Sequence, residues 1–193
     1  MAWRRGYRSQ RPQRSLWRTL LDALLFAAVL IVVTIVLDRL QVLDIGTGNA
    51  TAKDGDSLVL KGTEVRLYGI DAPEYNQSCG GPAGDYPCGR EAAKALRNLI
   101  RGRTINCKSI DTDRYGRAVS VCRDGDLEIN REMVRQGWAV AYIRHSVTYV
   151  RSQQDAKAAR LGIWQGRFEM PESYRARNRK TLGDAAAGGQ QDD

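Results

Sequence analysis

Two short stretches concentrate side chains able to do chemistry: Asp54-Gly55-Asp56-Ser57, and Arg66-Leu67-Tyr68-Gly69-Ile70-Asp71-Ala72-Pro73-Glu74. Asp56 precedes one β-prone run, and Arg66 and Asp71 bracket the end of the next. Paired as a hairpin, these runs bring Asp56 near Asp71 at their open end. Two close carboxylates repel and raise a pKa unless a proton or cation joins them. A hard, oxygen-seeking ion such as calcium removes that cost. The same residues also suit a pair of ordinary polar turns, since DGD alone is common. Pro73 stiffens the segment carrying Glu74, which aims a carboxylate but equally serves any tight loop. A third stretch, Asp111-Thr112-Asp113-Arg114-Tyr115-Gly116-Arg117, adds a second arginine. Near a metal and a phosphate, the planar forks of Arg66 and Arg117 can each bind non-bridging oxygens by two hydrogen bonds. An ion, an acceptor for a water proton and fixed positive charge where phosphoryl negativity grows form the set that metal-assisted hydrolysis at phosphorus requires.

Those residues need short strands to position them. Val42–Lys53 is β-prone but broken by glycines, and Ser57–Lys61 and Thr63–Leu67 flank Gly62 as a hairpin. Arg103–Ile110 and Ala118–Arg123 read as another antiparallel pair. Helical spacing marks Gly89–Arg101, ending before Gly102; Leu127–Gln136, stopping at Gly137; and Tyr149–Leu161, meeting Gly162. Ser146 or Thr148 is placed to cap the last of these. After Pro171 the periodicity fades, so residues 171–193 read as a loose, flexible tail. Strands with an inserted helix and further helix at the end suit a small closed barrel with packed helices; other α+β folds share the pattern.

Charge narrows the partners less than its total suggests. The chain has 193 residues and a formal charge of +8, which by itself favours a polyanion. Six arginines (Arg4, Arg5, Arg8, Arg11, Arg14 and Arg18) precede the first apolar run with no acidic residue among them. From Gln41 onward 23 basic side chains face 20 acidic ones, a difference of +3. A nucleic-acid partner must therefore be argued from local arrangement.

The arginines belong with the apolar run that they precede. Leu20–Leu37 is apolar apart from Asp22 and Thr34, nearly long enough as a helix to cross a hydrocarbon layer of roughly 30 Å. A cleaved signal shares this order, yet the run exits into Asp38-Arg39-Leu40 with no small-x-small pattern. The expectation is a basic cytoplasmic segment over 1–19, a transmembrane anchor over 20–38, and a folded domain over 41–170 in the periplasm or outside the cell. Cys79, Cys88, Cys107 and Cys122 all lie beyond the apolar run. Four cysteines there read as two disulfides with three possible connectivities. A zinc site competes poorly, lacking a close CxxC pair and having only His145 as a histidine.

In order, DGDS, VRLYGIDAPE, CGREA, DRYGR and NREMVRQG strongly resemble the thermonuclease, or staphylococcal-nuclease-like, family over roughly Val42–Trp164. The resemblance implies a five-stranded OB-type β-barrel with three packed helices and hydrolysis of DNA and RNA phosphodiesters, here behind one transmembrane helix. It implies Ca2+ as cofactor, held by Asp56, Asp71 and the backbone carbonyl of Ala72. Glu74 matches the carboxylate that activates or orders water, and Arg66 and Arg117 match the phosphate-binding pair. Tyr142 falls where an aromatic ring flanks the nucleotide, although its segment is one residue shorter than the family pattern. Arg114 is expected on the substrate side, and Arg144 stands where a second aromatic is usual. The cysteines resemble an oxidised, extracytoplasmic branch and, on the expected barrel, favour Cys107–Cys122 and Cys79–Cys88. The expected partners are DNA or RNA and, through the helix, the lipid bilayer, with a monomer as the expected state.

For other residues the ordinary explanation is preferred. Trp138 and Trp164 suit core packing, His145 lacks an adjacent partner for general-base work, and Arg175, Arg177, Arg179 and Lys180 form a solvated tail face or touch a polyanion. Two further functions compete: a non-catalytic nucleic-acid-binding barrel, which has no reason to combine Asp56, Asp71, Glu74, Arg66 and Arg117, and a structural membrane-tethered domain using the barrel as scaffold.

Overall fold

The computed structural model describes residues 16–42, 44–144 and 146–188; His145 and the arginines from Arg4 to Arg14 lie outside them. The described chain divides into two units at Val42/Leu43. The first contains α1 (Leu16–Val42), whose apolar side chains from Leu20 to Val36 are exposed all round. Trp17–Val36 is long and apolar enough to cross a membrane.

The second unit is mixed α+β. Its early strands are β1 (Asp44–Gly48), β2 (Ala50–Ala52), β3 (Ser57–Leu60), β4 (Thr63–Leu67) and β5 (Ile70–Asp71), followed by a small hairpin of β6 (Cys79–Gly81) and β7 (Gly84–Tyr86). Helix α2 (Cys88–Ile100) leads to β8 (Ile105–Thr112), β9 (Ala118–Asp124) and β10 (Leu127–Glu128). Then come α3 (Ile129–Arg135), β11 (Val140–Ala141), α4 (Val150–Ala158), a 3-10 turn (Gly162–Gln165) and α5 (Pro171–Gly188). The main sheet runs β1-β8-β9-β4-β3-β2, with β10 on β9.

The expected closed five-stranded barrel is instead a curled half-barrel of seven short strands. Its end strands, β1 and β2, are separated only by Asn49. They are successive segments of one stretch, β1 laddered onto β8 and β2 onto β3, and no ladder among the described residues joins them to each other. The expected hairpin is present: Leu60 pairs with Thr63 across Lys61 and Gly62. Both turn residues have positive φ, 50° and 80°, the twist that a two-residue hairpin requires.

The sheet's inner face carries Leu58, Leu60, Val65, Leu67 and Ile105, all fully buried or nearly so. Against them pack Ala92, Leu96 and Ile100 from α2 and Ile129, Met133 and Val134 from α3, with Tyr149 entering just before α4. On α2 and α3 the apolar positions with helical spacing are thus the packed ones. A second cluster gathers Cys79, Cys88, Val140 and Ile163, with Trp138, Trp164 and Phe168 at its edge; both tryptophans are packing residues. The disulfides Cys79–Cys88 and Cys107–Cys122 leave no free cysteine.

Three local expectations change. Leu127 and Glu128 extend the sheet as β10 rather than starting a helix, because they ladder onto Asp124 and Arg123. Neither Ser146 nor Thr148 caps α4, whose N-cap is Tyr149; the two side chains bond each other instead. The stretch expected as a loose tail from Pro171 is helical through Gly188. Proline suits a first helical turn, and polar contacts of Tyr174, Arg175 and Arg177 supply what an apolar stripe did not.

Candidate active site

Asp56 and Asp71 meet as the hairpin geometry predicts, with Arg66 between them. Ser57 pairs with Arg66 across β3 and β4, placing the residue before β3 beside the end of β4. Arg66 Nη1 donates to Asp56 Oδ1 at 3.2 Å, and Nη2 lies 3.0 Å from both Asp56 Oδ2 and Asp71 Oδ1. The Ala72 N–H donates to Asp56 Oδ2 at 3.1 Å and the Ser57 hydroxyl to Oδ1 at 3.1 Å. Asp56 and Asp71 are 5% and 1% exposed, so their charges stand largely outside water's screening. Burial pushes the Asp71 pKa up and the Asp56 charge adds to it, while Arg175 and Arg66 pull the other way.

The motif glycines explain why the chain can close here. A Cβ on Gly55 would sit 2.6 Å from the Ala72 Cβ and 2.8 Å from the Ala92 Cβ, so the DGD loop reaches Asp71-Ala72 only without a side chain. At Gly89 a Cβ would stand 1.8 Å from the Glu74 carbonyl oxygen. The start of α2 therefore presses directly on the backbone carrying Glu74. Gln77 completes that turn: its Oε1 accepts from the Glu74 N–H at 3.2 Å and its Nε2 donates to the Glu169 carbonyl at 2.7 Å.

Arg117 is fixed by its own loop. Asp113 Oδ1 accepts the N–H groups of Tyr115 and Arg117 at 2.9 and 3.0 Å, and Asp113 Oδ2 accepts Arg117 Nε at 2.8 Å. Arg117 Nη2 lies 2.7 Å from the same oxygen, and Nη1 lies 3.5 Å from Glu64 Oε1. Burial opposes the Asp113 charge, but hydrogen bonds led by the Arg117 side chain hold its pKa below the ordinary carboxylate value. The parallel register Val65↔Ala118 sets this loop beside β4, and so beside Arg66. Asn130 locks the same corner, accepting from Cys122 N–H and donating to the carbonyls of Tyr68 and Ser120.

A cleft of about 900 Å³ opens over these elements, lined by Arg66, Glu74, Arg114, Arg117 and Tyr142, with Tyr75 and Tyr115 along it. Of the expected site residues these five reach the cleft. Asp56, Asp71 and Ala72 lie behind the wall, connected to it through Arg66 and Arg175. Arg114 stacks over Tyr115, its carbon 4.8 Å from the ring centre. Arg144 lies 3.3 Å from Glu172.

Two residues have roles that the sequence did not assign: Asp54 had none, and Arg175, expected on a solvated tail face or against a polyanion, is instead paired with site carboxylates. Asp54, one residue from Gly55, accepts the Asp56 N–H at 3.0 Å. Burial first, then the Asp56 charge, push its pKa up to about 6. Its signal was the first letter of DGD, hidden because only the second carboxylate was assigned. Arg175 of α5 forks onto Asp71, with Nη1 2.9 Å from Oδ1 and Nη2 2.9 Å from Oδ2, and donates to Glu74 Oε1 at 2.9 Å.

Among the described residues no three acidic, histidine or cysteine side chains converge as a preformed metal cluster. The donors that do approach one another are hard carboxylate oxygens, and Asp71 and Glu74 already draw a cationic group between them. That chemistry suits a hard cation such as calcium.

Residues 64–166 match the family described as staphylococcal nuclease homologue. Similar proteins include "Succinoglycan biosynthesis protein ExoI" of Rhizobium meliloti, 37% identical over 63% of this chain and 66% of that protein. "Probable endonuclease LCL3" of Schizophyllum commune is 36% identical over 65% and 48%, and an "Uncharacterized endonuclease" of Haemophilus influenzae is 33% identical over 58% and 61%. The chain thus spans about half to two thirds of these relatives. The matched span includes Arg66, Asp71, Glu74 and Arg117; Asp56 precedes it and α5 comes after it. On a match covering more than half its residues, the chain belongs to the staphylococcal nuclease homologue family.

Proposed function

We propose that the protein is a calcium-dependent endonuclease that hydrolyses phosphodiester bonds of DNA, and of RNA by the same chemistry. The observation that carries this reading is the meeting of Arg66, Glu74 and Arg117 in one cleft, with Asp56 and Asp71 immediately behind. Relatives named as endonucleases support it at family level. Asp56, Asp71 and the Ala72 carbonyl would hold the cation, which when bound supplies positive charge to a phosphate oxygen.

The chain's own residues perform the remaining work. Water adds to phosphorus as the P–O bond to the leaving group breaks; Glu74 orders that water or takes a proton from it, and the leaving oxygen gains a proton from solvent. Arg66 and Arg117 direct N–H groups at oxygens on which negative charge accumulates. Asp113 keeps the Arg117 fork oriented, and Arg114 and Tyr142 flank the strand. A binding-only module would gain nothing from a carboxylate at Glu74, which repels phosphate.

The two disulfides and the exposed apolar helix support an anchored domain facing an oxidising compartment, with the basic segment cytoplasmic. The phosphate clamp is tested by R66K and R117K, which keep charge but lose the fork. Each is expected to lower kcat by about 100-fold, as does loss of an oriented oxyanion donor. Turnover near that of the parent in both variants refutes the clamp.

A further inference from the structure

Helix α5 lies beyond the family-matched span, yet it places a guanidinium on the two carboxylates that the proposed chemistry needs. Arg175 makes three contacts of 2.9 Å, two to Asp71 and one to Glu74. The Asp71 side chain is 2% exposed, and Arg175 and Arg66 are the cations paired with it. We infer that Arg175 is an internal cation that competes with a divalent metal for Asp71, and so sets the affinity of this site for metal, while its bond to Glu74 withholds that carboxylate from water. The inference rests on the calcium reading and adds a residue outside the matched domain.

A guanidinium and a hard dication cannot both occupy the inner face of one carboxylate. Calcium takes six to eight oxygens at close range, so Asp71 must give up the fork to join its shell. Glu74 must likewise be freed from Arg175 before it can take a proton from water. An apparent affinity is weakened by the fraction of molecules in which the site is closed.

The way α5 is attached makes this exchange reversible. Its sequence, PESYRARNRKTLGDAAAG, has no apolar stripe, and residues 176–181 are exposed. Pro171 at its start is buried, and its other anchors near Arg175 are polar: the Tyr174 hydroxyl donates to the Asn76 carbonyl at 3.4 Å, Glu172 pairs with Arg144 and Arg177 with Glu169. Pairs of that exposed kind contribute little each, which leaves Arg175 as the main link between α5 and the catalytic carboxylates. The released side chain remains beside the cleft with Arg179 one turn onward, where a substrate phosphate offers it a new anion. Metal entry and strand binding then favour each other, reciprocally.

The test uses the full chain in detergent, with calcium alone and no nucleic acid. Calorimetric titration is expected to show calcium binding about tenfold tighter in R175Q than in the parent, the factor for a site open in about one molecule in ten. Hydrogen exchange on the unmodified protein gives a second readout that needs no variant. Calcium is expected to raise exchange across residues 172–181, whereas in R175Q that exchange is already raised and indifferent to calcium. Equal or weaker calcium binding by R175Q, no calcium binding by either protein, or α5 protection unaffected by calcium in the parent would each overturn the inference. A parent that cleaves DNA with calcium while R175Q binds calcium unchanged keeps the nuclease reading and removes only the role of Arg175. Tighter calcium binding by R175Q in a protein that cleaves nothing does the reverse.

Discussion

Replacing Asp54 with Asn is expected to stabilise the calcium-free protein at neutral pH. Asp54 ionises at about 6 in the folded chain against an ordinary 3.8, first because it is buried and second because Asp56 repels it. Its folded pKa exceeds its unfolded one, so between those values the native state holds a proton that the unfolded chain has released. Stability therefore falls as pH rises through that window, and above about pH 6 the full cost of the charge is present. At about 1.4 kcal/mol per pKa unit the ceiling is about 3 kcal/mol. Partial solvent screening reduces the expected gain to about 1–2 kcal/mol. The amide oxygen of Asn still accepts the Asp56 N–H, so the loop keeps its 3.0 Å bond and only the charge is removed. Urea denaturation with a chelator present, compared at several pH values, measures the effect. The D54N advantage should be largest near pH 7 and shrink as pH falls toward 4. A D54N protein no more stable than its parent at neutral pH would show that the loop carries no such electrostatic cost.

Removing the β8–β9 cross-link by C107S and C122S together should cost about 3 kcal/mol, the loop-closure value for its 15-residue separation; an unchanged urea midpoint contradicts this. Protease added outside intact spheroplasts should digest residues after Val42, and full protection would reverse the proposed topology. E74Q should lower kcat while leaving calcium affinity within about threefold of the parent, because Glu74 is assigned to water and Asp56 to the ion. Calorimetry beside turnover separates the two roles, and parental turnover in E74Q removes Glu74 from the chemistry.

Legibility tracked the range of the interaction. The β3–β4 hairpin and the helical stripes of α2 and α3 rest on short-range spacing, and the structure contains them. The meeting of Asp56, Arg66 and Asp71 is a consequence of that hairpin, so it too was readable. The roles of Gly55 and Gly89 were not, because each depends on a distant backbone, Ala72 and Glu74 respectively. Barrel closure was over-read: β1 and β2, the two ends of the sheet, are successive segments of one stretch laddered onto β8 and β3, and no ladder among the described residues joins them to each other. Helix α5 was missed because its stability lies in charge contacts with residues about a hundred positions earlier, Arg175 with Asp71 and Glu74. Periodicity does not record such contacts. Leu127–Glu128 shows the same limit on a small scale, since a ladder to β9 overrides a local helical pattern.

The central claim, a nuclease whose buried carboxylates hold calcium, is tested most directly by cleavage of single-stranded DNA by the purified chain in a calcium titration, alongside D56A. The expected result is cleavage by the parent that rises with calcium and stops with chelator. In D56A, activity should be severely reduced although the protein still melts cooperatively. Cleavage by D56A with the parent's calcium dependence would contradict the assignment of the ion, and no cleavage by the folded parent at any calcium concentration would contradict the nuclease itself.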